Sequence, residues 1–221
     1  MCRRLPDRAV GWSSFRREAE RGILSFGKRV GVLSDIHGAT RVLGLALDVC
    51  AREEVETIVL LGDLFDRAEQ ADATIDLLKS WQVIGVYGNH EREVALAAAA
   101  GEVDLKPETI ALLTALEEEV RIGDIRLTHE VQRWGSVDPV ARMFGGHHQD
   151  HGDDPAARLT FTGHTHFRQA RDERGLLDIG RGVVSIVRER RYLFNPGALQ
   201  IGQFAIWDRE ERTVRFRHIE W

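Results

Sequence analysis

The sequence predicts an α/β fold on three observations. Short apolar runs alternate with segments of helical periodicity. The runs are continuous rather than alternating, as in strands covered on both faces. Successive runs also end in the same kind of polar cluster. RVGVLSD, ETIVLLGD and QVIGVYGNH are the first three runs. Between them, ATRVLGLALDVCAREE places Val42, Leu45, Ala46, Val49 and Cys50 on one predicted helix face, and RAEQADATIDLLKSW offers Ala71, Ile75, Leu77 and Leu78. Strand, helix, strand, helix, strand is the order of an α/β sheet.

Two more helices are predicted downstream. Residues 91–100 are rich in Ala, a strong helix former. PETIALLTALEEE starts with Pro107 at a first-turn position, carries acids in that turn, and shows Ile110, Leu113 and Leu116 along one side. After residue 120 the pattern changes to short β-rich pieces separated by Gly, Pro or charged turns: DIRLTHE, RLTFTGHTH, FRQARDE, GVVSIVRER, RYLFNPG, QFAIWDRE and TVRFRHIE. Residues 131–157, with Gly145, Gly146, Gly152 and Pro155, read as a long loop. The expected organisation is a basic arm over residues 1–28 and a single domain over 29–221.

Composition narrows the function classes. The 221 residues are 43% apolar and 29% charged, which excludes a disordered or collagen-like chain. Thirty Lys and Arg against 35 Asp and Glu give a net charge of −5, without the basic surplus that sustains nucleic-acid wrapping. Cys2 and Cys50 cannot build a disulfide framework. The N-terminus lacks the apolar stretch of a secretory signal or membrane span, so a cytoplasmic setting is expected.

The informative feature is where the apolar runs stop. They end at Asp35 and His37, at Asp63, at Asn89 and His90, at His129, and at His164 and His166. Ligands of α/β sheets bind beyond the carboxyl ends of the strands. His37 to Asp63 and Asp63 to Asn89 are 26 positions each, about one strand–helix–strand unit returning to the same edge. Taken singly, each fragment also reads as a helix cap, a turn or a buried histidine. Gly163-His-Thr-His is the best single fragment, because alternate residues of an extended segment point the same way. Oxygen and nitrogen donors without thiolate suit Mn, Fe, Co, Ni or Zn in a catalytic site. Seven donors (Asp35, His37, Asp63, Asn89, His129, His164 and His166) exceed the needs of one ion. They divide over two ions with one carboxylate bridging, which leaves His90 for acid chemistry.

The five blocks SDIHG (34–38), GDLFDR (62–67), GNHE (88–91), His129 and GHTH (163–166) resemble those of the calcineurin-like metallophosphoesterase superfamily, in its small prokaryotic form. NPGAL (195–199) resembles the late turn of such members, with Ala198 where Ser is common. The resemblance implies a four-layer α/β/β/α sandwich with a dimetal centre on the loops of one edge. It assigns Asp35, His37 and His166 to one divalent transition-metal ion and Asn89, His129 and His164 to a second, Mn foremost, with Asp63 bridging. It makes His90 the general acid or a phosphate ligand, Asp66 the acid that orients His90, and Arg67 the grip on phosphate. Glu130 departs from the Gly usual after the histidine of the fourth block, and bears on substrate preference.

The activity so implied is hydrolysis of phosphomonoesters or phosphodiesters by hydroxide bound to the two ions. The substrate would be a nucleotide, a small phosphoester or a phosphoprotein, and homo-oligomers are compatible with it. Two other readings compete. A binding or scaffold module would keep the fold without the chemistry, and a nuclease subunit is disfavoured by the acidic charge and the lack of a DNA-capping domain. In the long loop, His147, His148, Asp150, His151, Asp153 and Asp154 read as solvated polarity, with a third ion site or a lid as the alternative.

Overall fold

The structure, a computed structural model, describes residues 26–130 and 156–221. Strand β1 (Arg29–Leu33), helix α1 (Thr40–Arg52), strand β2 (Thr57–Leu61), helix α2 (Ala68–Leu78) and strand β3 (Gln82–Val86) run in the predicted order. The three strands are parallel, β2 lying between β1 and β3. Strand alternation explains why they read as unbroken apolar runs. In β2, Ile58 and Leu60 face the helices while Val59 and Leu61 face the second sheet, so no position meets water.

Helix α3 (Asn89–Ala99) and helix α4 (Pro107–Ala115) follow, with Pro107 in the first turn as predicted. A hairpin of β4 (Glu119–Ile122) and β5 (Ile125–Thr128) then opens the second sheet, which continues with β6 (Leu159–Phe161), β7 (Gln169–Asp172) and β8 (Gly175–Leu176). Strand β9 (Val183–Ser185) returns to the first sheet and β10 (Tyr192–Asn195) to the second. A 3₁₀ turn (Leu199–Ile201) leads to the antiparallel pair β11 (Gln203–Asp208) and β12 (Thr213–His218). The strand orders are β3-β2-β1-β11-β12-β9 and β4-β5-β6-β10-β7-β8. The result is a mixed α/β fold of two six-stranded mixed sheets. Among the described residues, the helices cover the outer face of the first sheet.

Two apolar layers hold this together. One lies between the helices and the first sheet, with Leu33, Ile58, Leu60 and Ile206 under Leu43, Leu47, Ile75 and Leu112. The other lies between the sheets. There Phe161 of β6 stacks on Phe194 of β10 at 5.5 Å and meets Trp207 of β11, from the opposite sheet, at 5.2 Å.

Details of the predicted faces change. Helix α1 buries Leu43 and Leu47 and leaves Leu45 exposed; α4 buries Thr109 and Leu112 and exposes Ile110. Both helices carry apolar residues on more than one side, so periodicity alone permits several faces, and the position of the sheet selects one. Strand β4 was not predicted: Glu117–Glu119 read as the acidic end of a helix, but the helix stops at Ala115 and the chain turns extended at Leu116. The Tyr87 and Glu117 backbones then join β3 to this segment. The arm over residues 1–28 and the loop at 131–157, with its six polar candidates, lie almost wholly outside the described residues.

Two parallel triplets result, β1-β2-β3 in one sheet and β5-β6-β10 in the other, and the segments after their carboxyl ends meet at one edge. Because Phe161 joins the sheets just before the GHTH block, Phe161→Ala is expected to lower unfolding free energy by about 3–5 kcal/mol. Urea denaturation checks this, and a loss below about 1 kcal/mol would contradict the packing described.

Candidate metal centre

The loop after β1 is sewn to the loop after β2 by main chain: Asp35 N–H donates to Gly62 O (3.0 Å), Ile36 and His37 N–H to Asp63 O (2.7 and 3.0 Å), and Gly38 N–H to Leu64 O (2.9 Å). The loop after β3 is held by Glu91. Its carboxylate, 1% exposed, accepts the amides of Asp63 (2.8 Å), Leu64 (2.6 Å) and Gly88 (2.7 Å). On the second sheet, Gly163 N–H and the Thr162 hydroxyl both donate to His129 O. The Asn195 amide donates to Gly163 O (2.8 Å) and to the Thr165 hydroxyl (3.1 Å), while its Oδ1 accepts Gly197 N–H. The 3₁₀ turn closes the ring, with Leu199 N–H on Ser34 O and Gln200 N–H on Asp35 O.

These bonds hold a strained backbone. Asp35, His37, Asp63, His164 and His166 all have positive φ, between 48° and 65°. Among the described residues, only Glu54 and Arg212 are other non-glycine cases. Each such conformation costs on the order of 1–3 kcal/mol and persists only where neighbours impose it. Gly62 (φ +90°) and Gly88 allow the loops to touch: a Cβ on Gly62 would stand 2.6 Å from His129 Nδ1, and one on Gly88 would overlap Asp63 Oδ1.

Three sets of donor atoms form among the described residues, one of them His37, Asp66 and His90, which shares His37 with another. Asp35, His37 and His166 offer atoms within 4.8 Å of one another, and so do Asp63, His129 and His164. His37 Nε2 is 3.2 Å from His166 Nε2, which is 3.3 Å from Asp35 Oδ1. His129 Nε2 is 3.2 Å from Asp63 Oδ2 and 3.3 Å from His164 Nδ1. His129 Nδ1–H donates to Leu61 O at 2.6 Å, which leaves Nε2 as the free lone pair once the ring is neutral. Asn89, exposed, opens α3 directly before His90, whose amide donates to Asp63 Oδ1 at 3.3 Å.

The sets fit metal ions on three counts. Donor separations of 3.2–3.3 Å match the roughly 3.0–3.4 Å edge of a coordination shell with bonds of about 2.1 Å. Asp35 Oδ2 is buried with no protein hydrogen-bond partner. The donors are nitrogen and oxygen throughout, the chemistry of a catalytic ion.

Burial raises the pKa of Asp63, but the hydrogen bond and charge of His129 and the charge of His90 outweigh it and hold the carboxyl at about 2. Burial likewise lowers His129, and Asp63 reverses this, pushing it up to about 9. Hydrogen bonding to Asp35 raises His166, while burial and the His129 charge lower His164, against the pull of Glu130.

One expectation of local shape is revised. GHTH is not extended: His164 and His166 both sit in the left-handed region, His166 in the set with Asp35 and His37 and His164 in the set with Asp63 and His129. Asp66 takes His37 Nδ1 at 2.5 Å and stands 3.8 Å from His90 Nδ1, so its first partner is His37. Arg67 is exposed at the start of α2, where Gln70 Oε1 accepts its amide and that of Asp66. Glu91 and Gln200, whose Nε2 lies 3.4 Å from His166 Nδ1, were not assigned roles. Glu91 has a signal in hindsight, an acid three residues after the Gly that starts a helix; Gln200 has none.

The sequence pattern of the calcineurin-like phosphoesterase superfamily domain matches residues 29–211. The chain belongs to this family. The uncharacterized protein MJ0912 of Methanocaldococcus jannaschii is 23% identical over 224 residues, 87% of either chain. The crystal structure of a metallophosphoesterase from Sphaerobacter thermophilus shares the fold at TM-score 0.66 and 23% identity, covering 88% of this chain and 89% of that one. A structure described as a novel archaeal phosphodiesterase has TM-score 0.50 and 18% identity, covering 86% and 99%. Calcineurin-like phosphoesterases are hydrolases of phosphoric esters that use divalent metal ions. No helix among the described residues is long and apolar enough to cross a membrane.

Two outcomes follow. Glu91→Gln puts an NH₂ against a main-chain N–H and should lower stability by about 1–3 kcal/mol in chemical denaturation; an unchanged midpoint would contradict the clamp. In metal-stripped protein, the folded pKa of Asp63 lies below its ordinary 3.8 and that of His129 above its ordinary 6.5. The pair's stabilisation is thus full between about pH 4 and 6.5, fades as pH falls toward 2, and is lost as pH rises through about 9. Thermal midpoints across that range check it, with Asp63→Asn flattening the curve.

Proposed function

We propose that this chain hydrolyses phosphoesters at a centre of two divalent transition-metal ions, Mn foremost. The observation that carries the proposal is the pair of nitrogen–oxygen donor sets contributed by loops of both sheets, one of them containing Asp35, whose buried Oδ2 has no hydrogen-bond partner. Asp35, His37 and His166 would hold one ion, Asn89, His129 and His164 the other, with Asp63 between. Such ions, when bound, lower the pKa of a coordinated water toward neutrality and offset the charge of a phosphoryl group.

The protein's own groups have separate tasks. Binding at His129 requires the ring to give up the proton that Asp63 favours, so ion uptake releases protons below about pH 9. His90, with its side chain about one-third exposed at the rim, donates a proton to the leaving oxygen as the P–O bond breaks and water oxygen bonds to phosphorus on the opposite side. A positioned acid of this kind contributes typically 10²–10⁴ in rate. Arg67, also exposed, would grip a phosphate oxygen in the two-donor manner of a guanidinium. Because Glu130 lies close enough to act on His164, its carboxylate would repel a dianionic monoester more than a monoanionic diester, favouring diesters.

The test is hydrolysis of p-nitrophenyl phosphate and of its bis-ester by Mn²⁺-loaded protein, before and after chelation. Activity is expected to vanish with chelator and return with Mn²⁺. Asp63→Asn should abolish it, and His90→Ala should reduce kcat by about 10²–10⁴. Full activity in both folded variants would refute the assignment, and ion binding without turnover of any phosphoester would favour a binding module.

A further inference from the structure

From the Asp66 geometry we infer that Asp66 is a positioning residue for the metal ligand His37, a role that rests on the two-ion reading and goes beyond it. The carboxylate oxygen Oδ1 is 2.5 Å from His37 Nδ1 and 3.8 Å from His90 Nδ1. Only the first is a hydrogen bond. Since a carboxylate can only accept, Nδ1 of His37 carries the hydrogen, and in the neutral ring the lone pair then sits on Nε2, the atom facing His166 Nε2 at 3.2 Å. A carboxylate on the far nitrogen of a ligand histidine sets its tautomer and ring plane and raises its basicity.

The surroundings suit this task. His37 has a left-handed backbone (φ 48°), and its ring packs edge-on against those of His90 and His166, at centroid distances of 5.3 and 5.0 Å. Among the described residues, Asp66 is the hydrogen-bond partner of its Nδ1. Asp66 is in turn held at the start of α2, where its amide and that of Arg67 donate to Gln70 Oε1, both at 3.0 Å. The same Gln70 side chain lies under Gly38, the residue after His37, closely enough that a Cβ there would collide with it. Helix α2 therefore supports the first metal loop twice, through the Gln70 contact and through the Asp66 carboxylate. The remaining 3.8 Å approach to His90 gives that ring the carboxylate's charge without fixing its orientation.

The full chain is tested as wild type, Asp66→Ala, Asp66→Asn and His90→Ala, with folding checked by circular dichroism. Mn²⁺ binding is followed by calorimetry and Co²⁺ binding by its d–d absorption. Asp66→Ala is expected to weaken one of two ion sites about 10–100-fold and leave the other unchanged. Asp66→Asn, which keeps an acceptor oxygen, should fall between it and wild type, while His90→Ala binds both ions normally. Activity lost by Asp66→Ala at limiting Mn²⁺ should be regained in part with excess ion, and that lost by His90→Ala should not. Wild-type affinities and an unchanged Co²⁺ spectrum in both Asp66 variants would overturn the inference and leave the two-ion reading standing. A wild-type chain that binds no ion would overturn that reading itself.

Discussion

Five donor residues are held in a backbone conformation that L-residues avoid, and buried hydrogen bonds hold them there. The site depends on that constraint. Without the Glu91 carboxylate drawing together the amides of Asp63, Leu64 and Gly88, the loops after β2 and β3 would relax toward ordinary turns. Without Asn195 against Gly163, the GHTH loop would lose its hold on the second sheet. Their strain is offset by the apolar cores buried on both sides of the first sheet, with Leu33, Ile58 and Leu60 on one face and Val59, Phe161 and Trp207 on the other.

The topology explains why so many distant residues meet. Parallel strands deliver their carboxyl ends to the same edge, and each sheet contains a parallel triplet. The antiparallel strands β11 and β7 complete the sheets without adding a donor. The 3₁₀ turn before β11 instead ties the late turn back to Ser34 and Asp35. Asp63 and His129 come from different sheets, and their ion pair crosses the seam between them. The site is therefore also a bond between the two halves of the sandwich.

Much of this was legible in the sequence, for identifiable reasons. Runs such as TIVLL announce strands buried on both faces, and the polar residues at their ends stand out because nothing in a core explains them. The α1 face was less legible, since Leu43, Leu45 and Leu47 are equally apolar and only the sheet decides that Leu45 stays out. The extended segment at Glu119–Ile122 was hidden by its acidic neighbours. Partnerships were hardest: that Asp66 turns to His37 before His90, or that Gln200 reaches His166, follows from loop shapes that local patterns do not encode. The left-handed turns of GHTH likewise send His164 and His166 to different partners, where a strand periodicity would send them to the same one.

The proposed hydrolysis requires two cations sharing Asp63 at the common edge of the sheets. The most direct measurement is an anomalous-difference map from crystals of the Mn²⁺-loaded protein, collected at the Mn absorption edge. Two peaks about 3.5–4 Å apart, each within bonding distance of Asp63 and of its own histidines, are the predicted result. One peak, peaks elsewhere, or none at this edge would contradict it.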